Sequence, residues 1–207
     1  MIIGRPSVRL YPNVCIELLS ASGRMCKFLI VYGTKEGQTA KIAERIGEVV
    51  RQSEYHVDVI NAHEIRPDFS TEGYAGILIG ASIHMGRWSP AARRFVRRYK
   101  SCLDAVPSAF FSVSLADAIA TPKERSALDR YVESLFNEYE WQPKTVGRFA
   151  GALAYTHYGF CTRFLMKRIA QTNGKSTDTS RDHEYTDWDQ VTKFAKDFID
   201  RCLRASQ

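Results

Sequence analysis

Gly33-Thr34-Lys35-Glu36-Gly37-Gln38-Thr39 is the part of this 207-residue chain whose residue types best suit chemistry. Small, hydroxylated and flexible residues let a backbone approach an anion closely. Thr34 and Thr39 offer hydroxyl donors, and the amphipathic stretch that follows opens a helix, whose first N–H groups lack partners and whose dipole favours negative charge. The segment therefore suits a phosphate group held without metal. Two common phosphate loops are excluded. A P-loop needs Gly-Lys-Ser/Thr, whereas Gly37 precedes Gln38; a dinucleotide fingerprint needs three spaced glycines, and only Gly33 and Gly37 are present. A magnesium site of the receiver type wants clustered acids at strand ends, and only Glu36 is near. The plain alternative is a strand-to-helix turn that binds nothing.

The elements that must position this segment follow from hydrophobic pattern. Phe28-Leu29-Ile30-Val31-Tyr32 is a continuous apolar run of β-formers, as expected for a strand covered on both faces. Val57–Ile60, Gly76–Gly80, Ala109–Ser114 and Phe149–Ala154 read as four more. Between them lie helices. Ile42, Ala43, Ile46, Val49 and Val50 form a stripe within 39–51. Ser89-Pro90 supplies an N-cap and a proline for a helix running to about Leu103. Thr121-Pro122-Lys123-Glu124 is a capping box for a helix to about Tyr139. Thr186 caps the last helix, whose inner face is Trp188, Val191, Phe194, Ala195, Phe198, Ile199 and Cys202. Alternating strands and helices predict a doubly wound α/β domain around a parallel sheet, with ligands beyond the carboxyl ends of its strands. Thr172 to Asp182 is the one turn-rich stretch.

Composition bounds the rest. A chain 44% hydrophobic and 25% charged is globular, which excludes disorder and low complexity. No apolar run approaches the roughly 20 residues of a membrane-spanning helix. Five scattered cysteines without a C-x-x-C pair give neither a disulfide framework nor a zinc site, and favour a reducing compartment. The net charge of +6 implies an anionic partner. Residues 1–24 break every apolar stretch with Arg, Pro, Asn or Glu, and read as an irregular extension; Met25 is an alternative start. Residues 25–207 read as the domain.

Thr34-x-x-Gly37-x-Thr39 resembles the FMN-phosphate loop of flavodoxins, where hydroxyls and amides hold the ribityl phosphate. Ile79–Gly86, Pro107–Leu115, Gly151–Tyr155, Thr177–Thr179 and Tyr185–Trp188 look like the menaquinone-dependent protoporphyrinogen IX dehydrogenases. The resemblance covers about Cys26 to Leu203. It implies a flavodoxin-like, five-stranded parallel sheet of order 2-1-3-4-5, helices on both faces, and a long insertion before the last strand. It also implies FMN as cofactor, with Thr34, Lys35, Glu36, Gly37, Gln38 and Thr39 at the phosphate. Ala81, Ser82, Ile83, His84, Met85 and Gly86, together with Ser112, Val113, Ser114 and Leu115, would wall the flavin ring. Backbone N–H groups there would stabilise negative charge on reduced flavin. Ser82 and Ser114 would add hydroxyl contacts.

No side chain identifies itself as an essential acid or base. His84 and His157 each have a claim to proton chemistry through their near-neutral titration, and an equal claim to be surface histidines. The resemblance implies oxidation of protoporphyrinogen IX with a membrane quinone as acceptor. A cytoplasmic chain touching the membrane surface peripherally would suit that acceptor. Residues 158–169 alternate apolar residues with Arg163, Lys167 and Arg168, which suits an anionic porphyrin, an anionic membrane or a solvated helix face. Here Cys161 and Thr162 stand where the family carries an aromatic and an acid. Arg93, Arg94, Arg97, Arg98 and Lys100 form a second basic cluster with the same readings. Nucleic acid is disfavoured for want of any reading motif. A homo-oligomer stays open. Two other functions stay open as well: a flavodoxin-type electron carrier, against which the positive charge counts, and a flavin-free binding module.

Overall fold

The computed structural model describes residues 26–35, 37–84, 87–114, 117, 122–153 and 183–205. Within them the chain runs β1 (Lys27–Gly33), α1 (Gln38–Gln52), β2 (His56–Asn61), β3 (Gly76–His84), β4 (Arg87–Trp88) and α2 (Pro90–Ala105). It continues through β5 (Ser108–Ser114), α3 (Pro122–Glu138), β6 (Thr145–Ala150), β7 (Ala152–Leu153), β8 (His183–Glu184) and α4 (Trp188–Ala205). The main sheet has the order β2-β1-β3-β5-β6, and every pair along that path is parallel. This is the expected doubly wound order. The two-residue β4, which the sequence did not suggest, folds back antiparallel on the end of β3 and makes a sixth strand.

Both faces of the sheet are apolar because parallel strands are covered twice. On one face Phe28, Ile30, Leu78 and Phe111 pack with Ile42 and Ile46 of α1 and with Val191 and Phe198 of α4. On the other, Leu29, Val31, Ile79 and Phe110 pack with Phe95 and Val96 of α2 and with Val132 and Phe136 of α3. Val132 and Phe136 of the helix in the long insertion are thus core residues. Phe136 is 3% exposed, and Trp141 beyond it is fully buried with its indole N–H donated to Ser108 Oγ at 3.1 Å.

Three expectations need correction. The last strand of the main sheet is Thr145–Ala150, not Phe149–Ala154: it ends at Ala150, and Ala152–Leu153 pairs antiparallel with His183–Glu184 instead. β6 is an edge strand whose burial alternates and whose Val146 is exposed, so its first half carries no continuous apolar run. The cap of α4 is Asp187, whose Oδ1 accepts the N–H groups of Asp189 (3.1 Å) and Gln190 (3.0 Å), while Thr186 serves elsewhere. Ser89 stands at the N-cap position of α2 but makes no side-chain cap bond. Thr121, the extension 1–24 and the turn-rich stretch 172–182 lie outside the described residues. No helix among the described residues is long and apolar enough to cross a membrane.

Candidate functional site

Three strand ends carry the expected site residues, and the register sets them side by side. Gly33 pairs with Ala81, Ala81 with Ser112, and Ser82 with Val113. The loops leaving β1, β3 and β5 therefore open on one edge of the sheet, where the chain order reverses about β1 and β3.

At the first of these loops Gly37 adopts a left-handed φ of 90°, which an L side chain would resist. Its N–H is donated to Thr34 Oγ1 at 2.9 Å, and its carbonyl accepts from Ala40 (3.0 Å) and Lys41 (3.2 Å). Thr34 uses an oxygen lone pair there, so its own proton stays available to donate. Among the described residues no side chain caps the first turn of α1, and a Cβ built on Gly37 would meet nothing within 4 Å. An uncapped helix start, a donor hydroxyl and open space beside them fit a phosphate. Thr39, in the first turn, is 1% exposed, and Lys35 is exposed. Glu36 lies outside the described residues.

Gln38 differs from expectation. Its side-chain amide donates to Thr186 Oγ1 at 2.9 Å, and Thr186 in turn donates to the carbonyl of Ala150 at 2.7 Å. The side chain is a tether, and only its backbone stands in the first turn. Beside it Lys41 pairs with Glu184 at 3.2 Å, and the Trp188 indole N–H reaches the same carboxylate at 2.9 Å. Burial would raise the pKa of Glu184, but its bonds to Lys41, Trp188 and Gln38 hold it below the usual carboxylate value.

The strand ends that lead into the loops expected to wall a ring are held from behind. Ala81 and Val113 are core residues, so what they offer a ligand is backbone. Ile83 faces Trp88 across the β3–β4 hairpin, and His84 pairs with Arg87. Trp88 is 1% exposed and stacks on Phe110 with centroids 4.4 Å apart, which pins the hairpin to the core. Ser112 is fully buried with its Oγ unpartnered among the described residues. Ser114 Oγ donates to Asp117 at 2.6 Å and accepts the Asp117 N–H at 3.2 Å. Arg148 of β6 grips Asp117 through Nε at 2.9 Å and also pairs with Asp129 of α3. Burial alone would lower the pKa of the guanidinium; the two carboxylates more than offset this and raise it. Met85, Gly86, Leu115, His157 and the segment 158–169 lie outside the described residues.

Sequence reading missed Asp117 and Arg148 and took Thr186 for a helix cap, because a polar residue in a loop or edge strand shows no partner until the chain folds. The basic cluster on α2 proves to be mostly structural. Arg97 lies over the Tyr139 ring and Arg98 over Tyr99, Arg98 also donates to the carbonyl of Pro67, and Lys100 pairs with Asp104 at 2.6 Å. Arg93 is different: it joins Thr34, Ser82, Arg87 and Ser89 around a cleft of about 320 Å³ beside the turn.

Comparison with known proteins agrees with this geometry. The Flavodoxin domain family matches residues 29–180. A protoporphyrinogen IX dehydrogenase [quinone] of Escherichia coli K12 is 35% identical over 171 residues, covering 83% of this chain and 93% of that one. The Leishmania major protein of the same name is 36% identical over 173 residues, covering 83% of this chain and 74% of that one. Among solved structures, rubredoxin oxygen:oxidoreductase from Desulfovibrio gigas superposes with a TM-score of 0.52 at 11% identity, over 86% of this chain. The chain spans only 36% of that longer protein. A short-chain flavodoxin associated with a bacterial microcompartment superposes with a TM-score of 0.50 at 11% identity, covering 86% of this chain and 99% of that one. These two likenesses concern the fold alone.

Proposed function

The chain belongs to the flavodoxin-domain family of protoporphyrinogen IX dehydrogenases [quinone], and from that premise we propose that it oxidises protoporphyrinogen IX and delivers the electrons to a quinone. We propose FMN as the flavin. When bound, the flavin supplies the redox chemistry, accepting electron pairs from one partner and passing them to the other.

The observation that carries the cofactor reading is the uncapped start of α1 behind Gly37, with the Thr34 hydroxyl beside it. The backbone N–H groups of the first turn and the hydroxyls of Thr34 and Thr39 would hold the phosphate. The loops after β3 and β5 would wall the ring, with Ala81–Gly86 on one side and Ser112–Leu115 on the other. Trp88 and the Arg148–Asp117 pair anchor the chain on either side of those loops, and fixing such donors beforehand would spare the cost of orienting them when a ligand arrives. No described side chain is assigned as an acid or base.

A lipid-soluble quinone is met at a membrane surface. We therefore place the working enzyme peripherally on the cytoplasmic face, with Arg163, Lys167 and Arg168 meeting either anionic lipid or the carboxylates of the porphyrinogen. Exchange of Arg163 and Lys167 for neutral residues should weaken sedimentation with anionic vesicles, or apparent substrate affinity, at unchanged flavin content.

Quinone-coupled oxidation of protoporphyrinogen IX, followed by the fluorescence of the porphyrin product, tests the function. A yellow preparation with a flavin spectrum and turnover supports it. Flavin-loaded protein without turnover on any quinone leaves an electron carrier, and a colourless preparation that takes up no flavin leaves a binding module.

A further inference from the structure

We propose that the cleft beside the phosphate turn is a cationic oxyanion subsite in which Arg93 and Arg87 carry the binding charge. Its wall brings together Lys35 from the β1 loop, Arg87 from the β3–β4 hairpin and Arg93 from the first turns of α2. Thr34, Ser82 and Ser89 add three hydroxyls, and no carboxylate lines the cleft among the described residues. None of the three cations forms an ion pair with a described residue. This separates them from Lys41, Lys100 and Arg148, each of which has an acidic partner.

Burial makes the arrangement informative. Arg93 Nε and the indole N–H of Trp88 are both shut off from solvent and lack a hydrogen-bond partner among the described residues, and both residues line this one cleft. Buried donors are nearly always satisfied, and an orphaned one marks a place where a partner is missing. A guanidinium that keeps Nε–H out of water without an acceptor is costly unless an anion arrives to accept from its fork. About 320 Å³ is enough for an oxyanion and a part of the molecule that carries it.

The position of these residues is fixed by packing. Trp88 stacks on Phe110, which fixes Arg87 beside it on the hairpin. Gly33 lies so close to α2 that a Cβ there would stand 2.3 Å from Ser89 Oγ, which fixes the start of α2 against the end of β1. The cations converge because three elements of the core do.

The anion is a phosphate or a carboxylate on a small molecule, and two sources present that chemistry: the flavin's phosphate and the carboxylates of the porphyrinogen. Thr34 borders both the turn and the cleft, so either reaches it. The subsite goes beyond the flavin reading, because Arg87 and Arg93 lie outside the residues assigned to the flavin.

The experiment titrates inorganic phosphate into the full-length chain freed of flavin, following arginine Nε–H and indole N–H resonances by NMR. Phosphate should shift the Arg93 and Trp88 signals. Arg93→Gln with Arg87→Gln should weaken its binding about tenfold or more, Arg93→Lys with Arg87 intact should retain most of it, and Arg94→Gln should leave it within about twofold. Equal phosphate affinity in the wild type and the double Gln variant, with circular dichroism showing both folded, would overturn the subsite. So would the absence of any shift at Arg93. The same titration with FMN saturating identifies the source. Loss of phosphate binding identifies the flavin's phosphate as the occupant; retained binding that a dicarboxylate porphyrin displaces identifies the substrate. A chain that takes up no flavin yet binds phosphate through Arg93 sinks the cofactor reading and leaves the subsite standing.

Discussion

Gln38 and Thr186 stand 148 positions apart in the chain and are joined by a 2.9 Å hydrogen bond at the mouth of the candidate site. Thr186 passes the link on to the carbonyl of Ala150 at the end of β6. The turn after the first strand is thereby tied to the end of the last strand of the main sheet.

Thr186→Val keeps the shape and removes the hydroxyl, leaving the Gln38 amide and the Ala150 carbonyl without that partner. Stability should fall by roughly 1–3 kcal/mol in urea unfolding, with flavin affinity falling alongside, and Thr186→Ser should restore both. Wild-type stability in the Val variant would mean that water replaces the link at no cost.

Thr34→Ala combined with Thr39→Ala should weaken FMN binding, each lost charge-assisted bond costing about 1.5–3 kcal/mol. Thr34→Ala also strips the Gly37 N–H of its acceptor, so it should be the more damaging of the two. A fluorescence titration that returns the wild-type affinity for the double variant would show that the turn does not hold the phosphate.

Arg148→Met leaves Asp117, whose side chain is 11% exposed, without its guanidinium. An uncompensated carboxylate so placed should cost roughly 2–3 kcal/mol and loosen the Ser114 loop. Adding Asp117→Asn should recover part of that loss, and the flavin absorption bands should shift in the single variant. Strictly additive losses across the double-mutant cycle would deny the coupling.

Asp58 gives the acid limb of stability. Burial would raise its pKa, but hydrogen bonds from Lys27, at 2.7 Å, and from Tyr74 hold it below the usual carboxylate value. A depressed pKa contributes stability that is fully present above the unfolded value of about 4 and is lost as pH falls through the lower folded value. Unfolding midpoints should therefore drop below about pH 4, and Asp58→Asn should flatten that drop while lowering stability at neutral pH. An unchanged acid limb in the variant would remove Asp58 from the account.

Much of the fold was legible because parallel strands buried on both faces write themselves as apolar runs. Phe28–Tyr32 and Ala109–Phe111 could be read directly, and α1 and α4 announced themselves by helical stripes. The phosphate turn was legible for a different reason: its chemistry is local, and Thr34, Gly37 and Thr39 lie within one turn of chain. β6 was harder, since an edge strand with Val146 outward carries a broken pattern. β4 is two residues long, and the stack that anchors it joins Trp88 to Phe110 on another strand.

The amino-acid sequence by itself determined the order of elements, the anion-seeking turn and the family pattern, since each rests on neighbours within a few residues. Tertiary structure alone decided which charges are committed. Arg97, Arg98 and Lys100 look like Arg93 in the sequence, yet packing gives them a ring, a carbonyl or a carboxylate and leaves Arg93 at a cleft. Whether a charged side chain is partnered depends on groups brought near by the fold, and distance along the chain carries no trace of that.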